Sequence, residues 1–71
     1  MRVTYRIEYY RKGWHQGCVF EGGDADIAEF AFKKYAANPD NDRVEKWCLF
    51  HDVAPLRFVL TEWKGEEDVD D

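Results

Sequence analysis

Two pairs of soft metal ligands occur in the chain at the same spacing. Two residues separate His15 from Cys18, and two separate Cys48 from His51. Zinc sites use such pairs because a tight turn presents both ligands to one ion, and Gly17 suits such a turn. Cys48 and His51, however, lie in a strand pattern, where residues three apart face opposite sides of a sheet. The sequence therefore favours inward packing of both cysteines as small apolar side chains, with a zinc site or a Cys18–Cys48 disulfide as alternatives.

The groups that covalent catalysis requires are scarce. The chain contains no serine, which excludes serine-based triads. Its glycines match neither the phosphate-binding loop nor the dinucleotide fingerprint. Acidic residues are plentiful, but most lie near the C-terminus or at outward strand positions, so no catalytic carboxylate pair can be selected. The sequence predicts a protein that is not an enzyme and that uses no cofactor.

Length and charge predict one folded domain with an acidic end. Seventy-one residues are too few for two domains, and 45% apolar with 17% aromatic residues is a folding composition. Residues 62–71 carry six acids against Lys64, which accounts for the whole net charge of −5. We expect a domain over residues 1–64 and an acidic, disordered tail over residues 65–71.

The sequence contains no signal for export or membrane insertion. Met1 leads directly into a strand pattern, and no apolar run approaches the roughly 18 residues of a membrane span. Two cysteines without an export signal are typical of a reducing compartment. These features predict a cytoplasmic protein that does not associate with membranes.

Apolar periodicity predicts four strands and one helix. Val3, Tyr5, Ile7 and Tyr9 alternate with polar residues, as in a strand with one buried face. Asp24 is a predicted N-cap, and Pro39 prevents continuation of the helix. The expected elements are strands over residues 2–9, 17–21, 43–51 and 56–63, a helix over residues 24–37, and a long hairpin loop over residues 11–16. We predict an α+β fold, ββαββ, with a four-stranded antiparallel sheet and one helix packed on one face.

One short helix can cover only one face of such a sheet. We assign to the covered face the residues Val3, Tyr5, Ile7, Tyr9, Cys18, Phe20, Val44, Cys48, Phe50, Leu56, Phe58 and Leu60. The opposite face is then expected to carry Tyr10, Val19, Trp47, Leu49, Val59 and Trp63. Apolar patches of this kind mark interfaces. The structural alternative is that Trp63 or the tail folds back and closes a second small core.

The favoured function is protein binding through that uncovered face. The predicted contact residues are Trp47, Leu49, Val59, Trp63, Tyr10 and, as an outlying contact, Phe30. The partner is a foreign protein or a second copy of the chain. On this assignment, Trp47→Ala and Trp63→Ala each abolish association without unfolding the domain. The second choice is single-stranded nucleic-acid binding through a basic, aromatic surface made of Arg2, Arg6, Arg11, Lys12, Tyr10 and Trp14. An acidic chain with few cations disfavours it.

The arrangement of the elements resembles small phage-encoded inhibitor proteins, such as certain anti-CRISPR proteins and inhibitors of host RNA polymerase. The resemblance lies in residues 5–9, residues 19–21 and the predicted helix. It implies stoichiometric binding to a host protein, without a cofactor. No functional residue is transferred from it.

Overall fold

The strands and the helix follow the predicted order. The computed structural model describes residues 2–55 and 57–65, so Leu56 and most of the predicted acidic tail lie outside the described residues. The elements are β1 (Val3–Arg11), β2 (Trp14–Gly22), α1 (Ala25–Ala36), β3 (Arg43–Phe50) and β4 (Arg57–Lys64). All strand pairs are antiparallel, and the sheet order is β2-β1-β3-β4. The predicted α+β, ββαββ class is confirmed.

The first hairpin closes with a two-residue turn, so the long loop predicted over residues 11–16 is wrong. Lys12 has φ 54° and Gly13 has φ 80°. Two consecutive positive φ angles are typical of the turn whose twist matches that of the flanking strands. The sequence concealed this turn because lysine seldom adopts the left-handed conformation. Both strands consequently extend to the turn.

Two register shifts in the β1–β2 pair change which side chains face the helix. Ile7 pairs with Phe20, whereas the next residue, Glu8, pairs with Cys18. Val19 is therefore an extra residue in a β-bulge, and it packs against the core together with Phe20. The bulge places Cys18 opposite Glu8, on the face without the helix, where it is exposed. The predicted inward packing of Cys18 is wrong.

Helix α1 begins at a capped N-terminus and is tied to the sheet by an ion pair. Asp24 Oδ1 accepts hydrogen bonds from the backbone N–H groups of Asp26, at 2.9 Å, and Ile27, at 3.1 Å. These bonds satisfy donors that the first helical turn leaves free. Near the middle of the helix, Glu29 Oε1 lies 2.5 Å from Lys46 Nζ of β3. The ammonium group also lies 5.6 Å from the centre of the Phe32 ring.

The core lies between α1 and the middle of the sheet. Ile7, Ala28 and Val44 are fully buried. The partly buried residues around them are Tyr5, Tyr9, Val19, Phe20, Ala31, Phe32, Tyr35, Ala36 and Trp63. Trp63 belongs to this set because it pairs with Val44 across β3 and β4.

The pairing of Trp63 with Val44 corrects the predicted orientation of β4. It places Val59 and Trp63 on the helix side of the sheet, and Phe58 and Leu60 on the other side. The predicted orientation was the reverse, because both faces of β4 are apolar. The orientation of β3 is as predicted, with Val44 and Cys48 on the helix side.

We predict that Trp63→Ala destabilises the fold, because this ring packs against the core. A buried Trp→Ala change costs about 3–5 kcal/mol, and the half-buried position of Trp63 suggests roughly 2 kcal/mol. Urea unfolding followed by far-ultraviolet circular dichroism measures the loss. The matched control is Trp14→Ala, since the Trp14 side chain is 75% exposed and its removal leaves the midpoint nearly unchanged. Equal midpoints for the two variants would contradict the orientation of β4.

A second prediction concerns the ion pair between Glu29 and Lys46. The hydrogen bond from Lys46, and then its charge, lower the pKa of Glu29 below its ordinary value of 4.5. The pair therefore stabilises the fold above about pH 4.5, and this contribution is lost as the pH falls through the lowered pKa. We expect Glu29→Gln to reduce the urea midpoint at pH 7 and to have a smaller effect near pH 3. In a Lys46→Met background the same substitution should have little effect at either pH, and an undiminished effect would contradict the pairing.

Candidate functional site

The face of the sheet that lacks the helix divides into an apolar half and a charged half. On β3 and β4, Leu49 pairs with Phe58 and Trp47 pairs with Leu60. We call these four residues the aromatic patch. On β2 and β1, the same face carries Glu21, Cys18, His15, Arg6, Glu8 and Tyr10. The charged half also includes Arg43, Glu45, Glu62 and Lys64, at the end of β3 and β4 nearest the β1–β2 turn.

The aromatic patch is built on a pair of rings. The centres of the Trp47 and Phe58 rings lie 5.1 Å apart, with the ring planes at 42°. This is the tilted geometry that aromatic pairs prefer. Phe58 is 57% exposed and Leu60 is 39% exposed, whereas Trp47 and Leu49 are half-buried. Phe58 and Leu60 therefore present apolar surface to solvent, and the Trp47 indole beside them is partly buried.

The Trp47 indole is held in one orientation by a buried carboxylate. Its Nε1 donates to Glu45 Oε1 at 3.1 Å, and the Tyr10 hydroxyl donates to the same oxygen at 3.4 Å. Glu45 is only 3% exposed, and Arg43 pairs with its other oxygen. Burial, and then the charge of Glu45, raise the pKa of Tyr10 above its ordinary value of 10.0. A ring fixed in this way loses little side-chain entropy when a partner binds.

Arginines on the charged half are paired with carboxylates. Arg6 lies 3.0 Å from Glu8 and 3.1 Å from Glu21, and the hydrogen bond to Glu8 raises the pKa of Arg6. His15 Nε2 also lies 3.0 Å from Glu8. Arg43 Nε lies 2.8 Å from Glu62 Oε2, an ion pair without hydrogen-bond geometry. Pairing of this kind neutralises positive charge that a phosphate backbone would need.

The predicted nucleic-acid surface is divided between the two faces of the sheet. Arg6 and Tyr10 lie on the face without the helix, whereas Arg11 lies on the helix side. Arg11 Cζ lies over the Tyr9 ring, 5.5 Å from its centre. Arg11 Nε also donates to Asn41 at 2.8 Å. The remaining predicted members are dispersed. Lys12 lies in the β1–β2 turn, Trp14 is exposed beside that turn, and Arg2 lies before β1, where its backbone N–H donates to Asp52.

The structure does not bring together the four residues of the alternative zinc site. His15 Nε2 forms a hydrogen bond with Glu8 Oε1, and His51 Nε2 lies 2.7 Å from the Thr4 hydroxyl. Cys18 pairs with Glu8 and Cys48 pairs with Tyr5, which places the two free thiols on opposite faces. Over residues 2–55 and 57–65, no three histidine, cysteine or acidic side chains form a group that could hold a metal. The alternative disulfide is likewise not formed.

The predicted partner-binding residues occupy three separate regions. Trp47 and Leu49 lie in the aromatic patch, and Tyr10 lies beside it, over the charged half. Trp63 packs into the core, and Val59 lies on the helix side, 54% exposed. Phe30 projects from α1, 68% exposed, on the other side of the sheet from the patch.

Phe58 and Leu60 were assigned to the wrong face, although the sequence contained a signal for their position. The β4 face that bears Phe58 and Leu60 also bears Glu62 and Lys64. The face that bears Trp63 carries the uncharged Thr61 at its centre. Because charges are seldom buried without partners, the face with two charges is the poorer candidate for the core.

A groove of about 590 Å³ lies at the end of the sheet near the β1–β2 turn. It is lined by Tyr10, Gly13, Pro39, Asn41, Asp42, Arg43, Lys64 and Gly65. Asp42 Oδ2 accepts from the Gly13 backbone N–H at 2.8 Å, and Arg43 is paired with Glu45. These polar groups join the turn to β3, which is a structural role.

Comparison with known proteins leaves the site to be interpreted from its geometry. No helix among the described residues is both long and apolar enough to cross a bilayer. No protein-family model, curated protein or solved structure matches the chain. The resemblance to phage-encoded inhibitors therefore stays a prediction.

Proposed function

We propose that this domain binds another protein through the aromatic patch and that it has no catalytic role. The observation that carries the proposal is the Trp47–Phe58 pair, in which Phe58 is exposed and the half-buried indole of Trp47 is fixed by Glu45. Tryptophan and other aromatic anchors dominate the energetics of protein interfaces. An anchor that is already oriented binds with a smaller entropic cost.

The surroundings of the patch support a protein partner over a nucleic acid. Single-stranded nucleic acids bind where aromatic rings alternate with free cations. Beside the patch, Arg6 and Arg43 are both paired with glutamates. A polar rim around an apolar centre is, in contrast, the usual composition of a protein interface. The rim here consists of Arg6, Glu8, Tyr10 and Glu62.

Phage-type inhibition is a narrower form of the same proposal. A stoichiometric inhibitor acts by occupying a surface of its target, so a fixed aromatic patch on a small domain would serve it. The cytoplasmic location predicted from the sequence agrees with a host enzyme as the target.

We predict that a photo-crosslinker at position 58 captures a second protein in the native cells. Phe58 is replaced by p-benzoylphenylalanine, which is close to it in shape, and irradiation is followed by mass spectrometry of the adducts. The matched control carries the same group at Phe30, which is similarly exposed but lies on α1. We expect a clear adduct with a foreign protein at position 58, whether or not adducts with a second copy of this chain also form, and only weak, diffuse adducts at position 30. Equal adducts at both positions, or adducts at position 58 with this chain alone, would contradict the proposal.

Titration with a labelled single-stranded oligonucleotide tests the nucleic-acid alternative. The paired arginines lead us to expect no saturable binding at physiological salt. Tight binding that weakens as salt is raised, and that Arg6→Ala reduces, would replace the protein-binding proposal.

A further inference from the structure

The two edges of the sheet differ in how they are protected from other strands. An edge strand presents unpaired backbone N–H and C=O groups, and proteins protect such edges with bulges and charges. The β2 edge carries two register shifts against β1. The β4 edge is regular, since it pairs with β3 without a shift from Arg43–Lys64 to Phe50–Arg57. In the part of the chain that the structure describes, no strand pairs with the outer side of β4.

The centre of β4 is apolar on both faces. Phe58, Val59 and Leu60 are consecutive and are 57%, 54% and 39% exposed. Helix α1 makes its main contacts with β1, β2 and β3, so it leaves Val59 uncovered on the helix side. A regular edge with exposed apolar side chains on both faces is suited to pairing with another strand.

We infer that β4 pairs with β4 of a second copy of this chain, antiparallel and centred on Val59. The inference rests on the proposed function only in the role it gives the dimer, which is to join two aromatic patches into one binding surface. A two-fold axis perpendicular to the sheet relates the strands, so a residue and its pairing partner lie on the same face. With the axis at Val59, Val59 faces Val59 of the second copy and Phe58 faces Leu60.

Other symmetric registers pair these residues less well. An axis at Leu60 would place Phe58 opposite Glu62, and an axis at Thr61 would place Leu60 opposite Glu62. Over residues 57–61, the register centred on Val59 opposes apolar residues only to apolar residues. Its outermost described pair, Arg57 with Thr61, brings no like charges together. This self-complementarity identifies a second copy as the occupant of the edge.

The lysine at the end of β4 does not oppose this arrangement. Lys64 lies five residues from the axis, or about 17 Å at the rise of an extended strand. The two copies of Lys64 are therefore about 34 Å apart, several times the Debye length of about 8 Å at physiological salt.

Introducing a charge of either sign at position 59 tests the pairing and its register together. Sedimentation equilibrium or native mass spectrometry of the wild-type chain should show a monomer that becomes a dimer as concentration rises. Val59→Lys and Val59→Glu should each weaken dimerisation at least tenfold, because the axis places like charges opposite each other. An equimolar mixture of the two variants should restore a mixed dimer. Val59 points away from the aromatic patch, and circular dichroism checks that both variants are folded.

The control and the contrary outcomes are specific. Phe30→Lys adds the same charge at an exposed apolar residue of α1 and should leave dimerisation unchanged. A wild-type chain that stays monomeric at all concentrations overturns the inference, as does a dimer that survives both Val59 variants. Failure of the mixture to form a mixed dimer also overturns it. A monomer that still gives a foreign adduct at position 58 overturns the edge pairing alone and leaves the proposed function intact.

Discussion

The structure depends on one limit, which is that a single 12-residue helix cannot shield a four-stranded sheet from water. At about 1.5 Å per residue, α1 is about 18 Å long, and it packs over β1, β2 and β3 on one face. The opposite face and most of β4 are left uncovered. The fully buried core is correspondingly small, with Ile7, Ala28 and Val44 at its centre. Trp63 enlarges this core because it closes the β4 side beside Val44.

The two halves of the uncovered face differ in the side chains that they present to water. The β1–β2 half is covered by paired charges, with Glu8 bridging Arg6 and His15. An antiparallel sheet tolerates a wet face of this kind. The β3–β4 half instead carries two rings and two leucines at one end, and Arg43, Glu45, Glu62 and Lys64 at the other. Glu45 lies at the boundary, where it accepts from Trp47 and Tyr10 and pairs with Arg43. The charged half thus fixes the geometry of the apolar half.

Sequence pattern predicted β1 because its two faces differ in polarity, and the structure agrees. In β3 both faces mix charged and apolar residues, with Lys46 on the helix side, and the predicted orientation is nevertheless correct. In β4 both faces carry large apolar residues, and they differ only by two charges, Glu62 and Lys64, against one, Arg57. The tertiary pairing of Trp63 with Val44 was therefore needed to establish its orientation. In β2 the extra residue Val19 reverses the alternation, and no local property of the sequence reveals a bulge. The sequence therefore predicted two of the four patch residues, Trp47 and Leu49. Phe58 and Leu60 could be assigned to the patch only from the pairing of β4 with β3.

Pairing at the β4 edge and partner binding at the aromatic patch are compatible because they involve different atoms. Edge pairing uses the outward backbone groups of β4, whereas binding at the patch uses side chains that project from one face. Since a two-fold axis perpendicular to the sheet keeps equivalent faces on the same side, two patches would form one continuous surface. The Phe58 and Leu60 side chains would lie at its centre and the Trp47 rings to either side. Such a surface is symmetric, which favours a partner that is itself two-fold symmetric or that presents a broad apolar face.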